Sequence, residues 1–413
     1  MSTIPELPPS PSAEPAAVAV EQAGSVAPLI DTNDIGTDIV PSIQNKICRP
    51  FWWRVGKFLF WSVPRTLFGI ASLILLLAVL AAIPGLNFLV LGYLLAAEGN
   101  IARTGRWRDA VPLIDLAPRL GSIALGFWLW LWPLRLMVDA AADAHIIDPG
   151  SPADRGWHLA VRITAVCLTI HLCLALARGG SLFCFFRPLK NLLWFVRQLR
   201  DGSYWPLAET RVREFVRGLR LKYHFWLGVR GFMGALLWLV IPTAIFAAPR
   251  RSEGGILIFV GGLLLMLVLS WTPFLQAHFA REERFSAFFE LRTVRRLYRH
   301  APFAWNFTLL VTLTLALPLY LFKVVLPPRD AMWLETTVFL VSIYPARVLT
   351  GWAYYRAATC ETPAWFGWRW ITRLALLPLL ALFVFLLFFT QFIGEHGKRV
   401  LFEHHAFLLP APF

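Results

Sequence analysis

The sequence has few charged residues and few cysteines, and both shortages narrow the classes of protein to which it can belong. Only 15% of its 413 residues are charged, whereas a soluble domain carries about a quarter. The five cysteines are scattered and include no CxxC pair, so we expect free, mostly buried thiols and no disulfide framework. The sequence also has no nucleotide-binding loop, no nucleophile elbow and no HExxH motif. This composition excludes a soluble domain, and no familiar catalytic motif indicates an enzyme.

Hydrophobic residues are abundant instead, at 57%, with nineteen tryptophans. The longest uncharged run covers residues 66–97 and is broken once, at Pro84-Gly85-Leu86-Asn87. One helix of this length would measure roughly 48 Å, against a hydrocarbon core of about 30 Å. The run is therefore a full crossing followed by a short returning arm, or a re-entrant hairpin that enters and leaves on one side.

Seven further runs are each close to the roughly 20 residues that a membrane-spanning helix needs. They cover residues 117–138, 158–177, 224–248, 254–277, 302–325, 336–355 and 374–394. Prolines inside several runs predict kinked rather than broken helices, because neighbouring helices can satisfy the freed carbonyl groups. The predicted fold is an all-α, polytopic integral membrane helix bundle.

The first 47 residues have a different composition. They are rich in Pro, Ala and Ser, carry six acidic residues and contain no Lys or Arg before Lys46. Such a segment buries too little apolar surface to offset the entropy of ordering. We therefore predict a disordered tail over 1–47 and a membrane domain over 48–413, with an aromatic and basic anchor for the lipid headgroups at 51–57.

The positions of the basic residues predict the orientation of the chain. Of 39 Lys and Arg, 28 lie before the first run or in the alternate connections 98–119, 178–222, 281–300 and 356–373. The other connections hold six, and short basic connections stay on the cytoplasmic side. The sequence thus predicts the cytoplasmic (inner) membrane, with the N-terminus inside and the C-terminus outside. It also favours the re-entrant hairpin at 66–97, which keeps 98–119 inside.

Two basic connections, 178–222 and 281–300, have an amphipathic pattern. Their arginines share helical faces opposite apolar residues, and the predicted lipid contacts are Arg213, Arg217, Arg220, Arg292, Arg295 and Arg296. Basic amphipathic helices of this kind lie in the headgroup plane. We therefore interpret the net charge of +14 as favouring binding to anionic membrane lipids and not to nucleic acid. The alternative is that both segments only connect spans.

One stretch, PGLNFLVLGYLLAAEGNIARTGRW, is followed by Pro112, Asp115 and Gly121. It resembles an uncharacterised family of bacterial multi-pass membrane proteins. The matching positions are Pro84, Gly92, Tyr93, Arg103, Gly105 and Asp115. The resemblance covers roughly a quarter of the chain and leaves the segment 178–222 unplaced. It implies residence in a membrane and no catalytic residues, because the family has no established activity.

Arg347 is a charge inside a predicted span, two residues after Pro345. An ionisable residue at membrane depth is a functional-site hypothesis by default. Arg347 could bind a lipid phosphate or an anionic solute, or could pair with Glu98 near the inner interface. A structural role is the alternative, because Arg347 lies only about 12 Å from the inner end of its helix and could reach the headgroups.

A candidate metal site is formed by Asp139, Asp143 and His145. Two carboxylates four residues apart share one face of a helix, and a nearby histidine could complete a metal site or an acid–base pair. The alternative is a solvated outer loop in which Asp139 pairs with Arg135. A second group of acidic residues and histidines lies in the tail, at Glu395, His396, Glu403, His404 and His405. A hydrophilic terminal helix explains this second group equally well.

Together these patterns predict a structural or accessory membrane protein that engages anionic lipids and possible partner proteins in the membrane, with no cofactor. A transporter or lipid-translocating protein that uses the broken hairpin 66–97 and Arg347 is the alternative, because transporters build their sites from broken helices. A membrane enzyme using Asp139 and Asp143 is the third reading.

Overall fold

A computed structural model describes residues 63–248, 255–321, 332–393, 397–404 and 407–408. Within these ranges the chain is almost entirely helical and contains no strand, which confirms the predicted all-α class. The predicted tail over 1–47 and the anchor at 51–57 lie outside the described residues.

The first helices are α1 (Val63–Ala81), α2 (Asn87–Thr104), α3 (Ala117–Ile147), α4 (Pro152–Arg178), α5 (Leu182–Phe185), α6 (Pro188–Arg200) and α7 (Tyr204–Leu219). They are followed by α8 (Leu221–Ala247), α9 (Gly255–Leu269), α10 (Thr272–Glu282), α11 (Leu291–Tyr298), α12 (Pro302–Leu321), α13 (Met332–Thr359) and α14 (Phe366–Thr390). Short 3-10 helices occupy Trp107–Ala110, Phe285–Phe289 and Gly397–Phe402.

Within the described ranges, seven helical stretches are long and apolar enough to cross a membrane, which makes the chain a multi-pass membrane protein. These stretches contain α1, α3, α4, α8, α9, α12 and α14. Helix α13, which covers the predicted span 336–355, is not among them. Its 28 residues are less apolar because Arg347, threonines and tyrosines interrupt the aliphatic residues, and many of these polar groups are buried against neighbouring helices.

The broken run 66–97 forms two helices joined by a tight turn at residues 82–86. Gly85 has a φ of 84°, a left-handed conformation that glycine adopts without steric cost. The first arm, α1, has 19 residues and is therefore about 28 Å long, enough for a complete crossing. The charge pattern predicted that the second arm ends at Ala97, before Glu98. The arm instead continues as α2 to Thr104. Glu98 remains inside this helix because it has a buried partner.

Helix α2 is the centre of the bundle, and nearly all of its side chains from Val90 to Ala102 are buried. It lies against α8, α10 and α13. Tyr93 contacts Tyr344 and Glu98 contacts Arg347, so α2 and α13 run side by side in the same direction. The two large hydrophobic clusters of the protein meet around this helix.

Close approach to α2 depends on glycines. A Cβ on Gly92 would overlap the backbone carbonyl of His224, and a Cβ on Gly228 would overlap the carbonyl of Phe88. A Cβ on Gly351 would overlap the carbonyl of Glu98. Small residues of this kind let helix backbones touch inside a membrane bundle, so the glycines of α8 and α13 bring those helices directly against α2.

The remaining connections differ from the sequence prediction in detail. Pro273 does not kink a continuous span: α9 ends at Leu269, and Pro273 lies in the first turn of α10, a position that proline tolerates because its missing N–H has no helical partner there. The segment 178–222 consists of three helices, α5, α6 and α7. The segment 281–300 has only one helical turn of 3-10 type and the eight-residue α11.

Candidate functional site

A buried polar network lies where α2, α10 and α13 meet. Nη1 of Arg347 donates hydrogen bonds to Oε2 of Glu98, 3.0 Å away, and to Oε1 of Gln276, 2.9 Å away. Glu98 is 0% exposed and Arg347 4% exposed. An ion pair this deeply buried is favourable only when hydrogen bonds satisfy both partners. Among the alternatives that the sequence left open for Arg347, the structure contains the pair with Glu98.

The C-terminal segment completes this network. The carbonyl oxygen of Phe407 accepts hydrogen bonds from Nη2 of Arg347 at 3.3 Å and from Nε2 of Gln276 at 2.7 Å. Two polar atoms of the network remain buried without a hydrogen bond, Oε1 of Glu98 and Nε of Arg347. The network could therefore accept one further hydrogen bond at Glu98 and donate one further hydrogen bond from Arg347.

The tail is packed into the bundle rather than forming a hydrophilic helix, so that prediction was wrong. Val400, Leu401 and Phe407 are buried. His404 is also buried, and its Nε2 forms a 2.8 Å hydrogen bond with the hydroxyl of Thr243. Burial lowers the pKa of His404 to about 4, because a charged imidazole would lose its hydration there. His396 and His405 lie outside the described residues.

A second polar group lies beside the first. His278 is buried and bonds through Nδ1 to the hydroxyl of Tyr354 at 2.7 Å, and through Nε2 to Glu290 at 2.9 Å. The hydrogen bond from His278 lowers the pKa of Glu290. Arg103, at the end of α2, binds the backbone carbonyl of Arg281 and the carboxylate of Glu283. These contacts hold the connection after α10 against the ends of α2 and α13.

The six predicted lipid contacts are all exposed. Arg213, Arg217 and Arg220 lie on or at the end of α7, a helix with no buried residue. Arg213 forms an ion pair with Glu209 one turn earlier. Arg292, Arg295 and Arg296 lie on α11, opposite the buried Val294 and Tyr298. Both helices thus have the predicted amphipathic arrangement, while contact with lipid stays a prediction.

Arg295 differs from its neighbours because it borders a groove of about 600 Å³. The guanidinium of Arg295 lies 5.9 Å from the ring of Trp271, and that of Arg373 lies 5.4 Å from the ring of Tyr298. The rest of the wall is apolar, and includes the exposed Leu263, Leu267, Leu374 and Leu377. Among the described residues, neither guanidinium has a carboxylate within ion-pair distance. The groove therefore combines two positively charged side chains with a mostly apolar wall.

The predicted metal site is not assembled as expected. Asp139 and Asp143 are exposed on α3, and within the described part of the chain neither one forms an ion pair, Arg135 included. His145 instead faces α4, where its Nδ1 lies 3.3 Å from Oδ2 of Asp154. The sequence prediction grouped residues of one helix, but side chains of two helices meet here.

Sequence reasoning missed Arg373, Gln276, Asp154 and His158. Arg373 was detectable as the last charge before the apolar run 374–394, one turn after Arg369. Gln276 gave no signal, because a single amide inside an apolar run is common. Cys167 and Cys173, which we expected to be buried, are exposed on the apolar surface of α4.

Three of the residues that carry the family resemblance, Gly92, Tyr93 and Gly105, have packing or turn roles in α2, whereas Pro84 and Asp115 are exposed. Gly92 contacts α8, the hydroxyl of Tyr93 donates to the carbonyl of Pro112 at 2.8 Å, and Gly105 ends α2 with a φ of 67°. The resemblance itself stays a prediction. Comparison with protein-family models, with curated proteins and with solved structures gave no match. Any functional conclusion must therefore come from the residues of this chain.

Proposed function

We propose that this multi-pass membrane protein is a non-enzymatic membrane component that binds an anionic phospholipid in the groove between α9, α11 and α14. Arg295 and Arg373 hold the phosphate, and one acyl chain lies along the leucines of α9 and α14. The proposal depends on one observation: among the described residues, two arginines without an acidic partner line a mostly apolar groove.

The chemistry of the groove favours a lipid over a soluble anion. The exposed leucines at its wall need an apolar cover, which acyl chains of the bilayer provide. A guanidinium binds phosphate through paired N–H groups. The orientation predicted by the basic connections places Arg295 and Arg373 on the cytoplasmic side, where anionic lipids produce a negative surface potential.

The test is lipid retention by the purified protein. The double variant Arg295→Gln/Arg373→Gln and the matched control Arg292→Gln/Arg296→Gln remove the same charge, and the control does so from the face of α11 outside the groove. Each protein is reconstituted in nanodiscs with phosphatidylglycerol and phosphatidylcholine, and bound lipid is measured by native mass spectrometry. A hydrogen bond to a charged phosphate contributes about 1.5 kcal/mol or more, so loss of both arginines should weaken binding of phosphatidylglycerol on the order of a hundredfold. The control loses only general surface attraction and should weaken binding less.

Equal losses in the two double variants would assign the effect to general surface charge and would refute the groove. Unchanged retention in both would refute anionic-lipid binding altogether.

A second function, translocation of lipid or an anionic solute, is favoured by a different observation. Oε1 of Glu98 and Nε of Arg347 are buried without hydrogen bonds. Glu98 lies on α2, the helix that follows the break in the run 66–97, and transporters build their sites from broken helices. Proteoliposomes with fluorescent phospholipid in both leaflets test it by chemical quenching of the outer leaflet. If more than half of the fluorescence is quenched, and Arg347→Leu lowers the quenched fraction to half, translocation would be supported. If only half of the fluorescence is quenched in the unaltered protein, translocation of that lipid would be excluded.

A further inference from the structure

The connection between α3 and α4 brings three possible metal ligands together. Oδ2 of Asp154 lies 3.3 Å from Nδ1 of His145, and Oδ1 of Asp154 lies 3.3 Å from Nε2 of His158. One ligand atom from each of the three side chains lies within 4.8 Å of the other two. His145 is in the last turn of α3, whereas Asp154 and His158 are one turn apart on α4.

The carboxylate of Asp154 is held in place by the start of α4. Ser151 is the N-cap residue, and its hydroxyl accepts a hydrogen bond from the backbone N–H of Asp154. In return, Oδ2 of Asp154 accepts a 2.8 Å hydrogen bond from the N–H of Gly150. Asp154 is only 5% exposed. This reciprocal cap fixes the position of Asp154 before any ligand binds.

The other oxygen of this carboxylate is unused. Oδ1 of Asp154 is buried and accepts no hydrogen bond, although Nε2 of His158 is 3.3 Å away. A buried carboxylate oxygen without a hydrogen bond is costly to desolvate. An interaction with a cation would remove that cost. Oδ1 lies beside the imidazole of His158, and Oδ2 lies beside that of His145.

We propose that His145, Asp154 and His158 form a binding site for a divalent transition-metal ion such as Zn²⁺. Imidazole nitrogen and carboxylate oxygen are its ordinary ligands, at about 2.0–2.2 Å. In a tetrahedral site these bond lengths separate two ligand atoms by roughly 3.3 Å. The separation between Nε2 of His158 and Oδ1 of Asp154 already has this value. Nδ1 of His145 lies at the same distance from the other carboxylate oxygen, Oδ2, so its ring must turn towards Oδ1 for all three atoms to share one ion.

The two imidazoles can adjust to close the site. Their side chains are 60% and 50% exposed, whereas that of Asp154 is 7% exposed. Rotation of the histidines around a fixed carboxylate brings all three atoms into one coordination sphere without moving the helices. Three protein ligands leave the fourth position open to water. The ion would also link the end of α3 to the start of α4.

The test is Zn²⁺ binding to the full-length protein in detergent, freed of metal with a chelator, by isothermal titration calorimetry. We expect about one ion per chain at this site, and at least tenfold weaker binding in His145→Ala and in His158→Ala. His300→Ala is the matched control, because His300 lies in a different connection and its ring bonds to the backbone carbonyl of Arg296. This variant should bind Zn²⁺ as the unaltered protein does. Co²⁺ should give the intense visible absorption of tetrahedral coordination.

Both histidine substitutions are at exposed positions, so the fold should survive, and size-exclusion chromatography with circular dichroism checks this. The variant Asp154→Asn retains an acceptor for Gly150 but loses the negative charge, and should also weaken binding. Absence of binding to the unaltered protein would overturn the proposal. So would unchanged binding in both histidine variants, or binding that is abolished by His396→Ala/His405→Ala alone.

Discussion

Charged residues have opposite environments in the interior of the bundle and in its peripheral helices. In α2 almost every side chain is buried, and its one acidic residue pairs with a buried arginine of α13. In α7 no side chain is buried, and in α6 only Asn191 is. Arg213 and Arg217 of α7 are exposed beside exposed valines such as Val212 and Val216.

The difference shows that burial, not residue type, decides what an arginine does. At Arg347 the surrounding helices exclude water, so the guanidinium must be neutralised and hydrogen-bonded inside the protein. At Arg217 the charge keeps its hydration and costs nothing, so it is free for a partner outside the protein. Substitutions that treat matched residues of the two regions alike can test this contrast.

The largest effect is expected for the buried ion pair. Arg347→Leu leaves Glu98 charged and unpaired in the interior, which should destabilise the protein by about 3–5 kcal/mol. The thermal unfolding temperature of the protein in detergent measures the loss. Arg217→Leu on α7 is the matched substitution and should leave that temperature unchanged.

The double variant Glu98→Leu/Arg347→Leu sharpens this prediction. Removal of both charges eliminates the desolvation cost, so the double variant should be more stable than Arg347→Leu alone. A double variant as unstable as the sum of the single ones would show that the two residues act independently.

Glycine-to-alanine substitutions should also have opposite effects on stability in the two regions. Gly92→Ala places a methyl group on the backbone of His224 and should destabilise the protein by about 1–3 kcal/mol, because α2 and α8 must separate. Gly156→Ala on α4, where a Cβ meets no atom within 4 Å, should instead stabilise by up to about 1 kcal/mol. Equal signs for the two substitutions would contradict the packing described here.

The packed C-terminal segment should respond to acid. The pKa of His404 is lowered to about 4 from an unfolded value of about 6.5, so the folded protein binds fewer protons than the unfolded protein between these values. Stability is therefore fully present above pH 6.5 and decreases as the pH falls towards 4. At pH 5.5 the loss is roughly 1–2 kcal/mol.

Unfolding temperatures between pH 5 and 7.5 measure this slope. His404→Gln removes the titrating imidazole and should flatten the profile. A profile that is as steep in the variant as in the unaltered protein would assign the acid response to other groups.

The smallest effect on stability is expected for α7. Arg217→Gln/Arg220→Gln should not change the unfolding temperature, because both side chains are exposed. Flotation with vesicles that contain phosphatidylglycerol should show weaker association of an isolated α6–α7 peptide, with a difference that disappears at high salt. If Arg217→Gln/Arg220→Gln lowered the unfolding temperature as much as Arg347→Leu, the two regions would not differ in the way described.

Much of this arrangement could be read from patterns along the chain. The helix class, most membrane-crossing stretches and the amphipathic faces of α7 and α11 follow from hydrophobic periodicity and charge. Errors arose where a local rule met a distant partner. The predicted arm stopped at Ala97, before the first charge, but α2 continues through Glu98 to Thr104. Arg347, which the sequence left open as one possible partner of Glu98, lies 249 positions away and compensates its charge.

The candidate sites were predicted less well, for the same reason. The metal prediction grouped Asp139, Asp143 and His145 because they are neighbours in sequence, yet the cluster needs Asp154 and His158 from the next helix. The groove needs Arg373, which is 78 positions from Arg295. No spacing rule connects such residues, because helix packing sets their distance.

Composition and periodicity alone determined that this chain is a helical membrane protein, because burying apolar side chains depends on their number and spacing and not on which partner they meet. Tertiary structure decided which helix occupies the centre, which charges are neutralised and which stay open to ligands. Those outcomes depend on close contacts between distant segments, such as Gly92 against His224 and Glu98 against Arg347. Directional, short-range interactions of this kind exist only once the helices have packed.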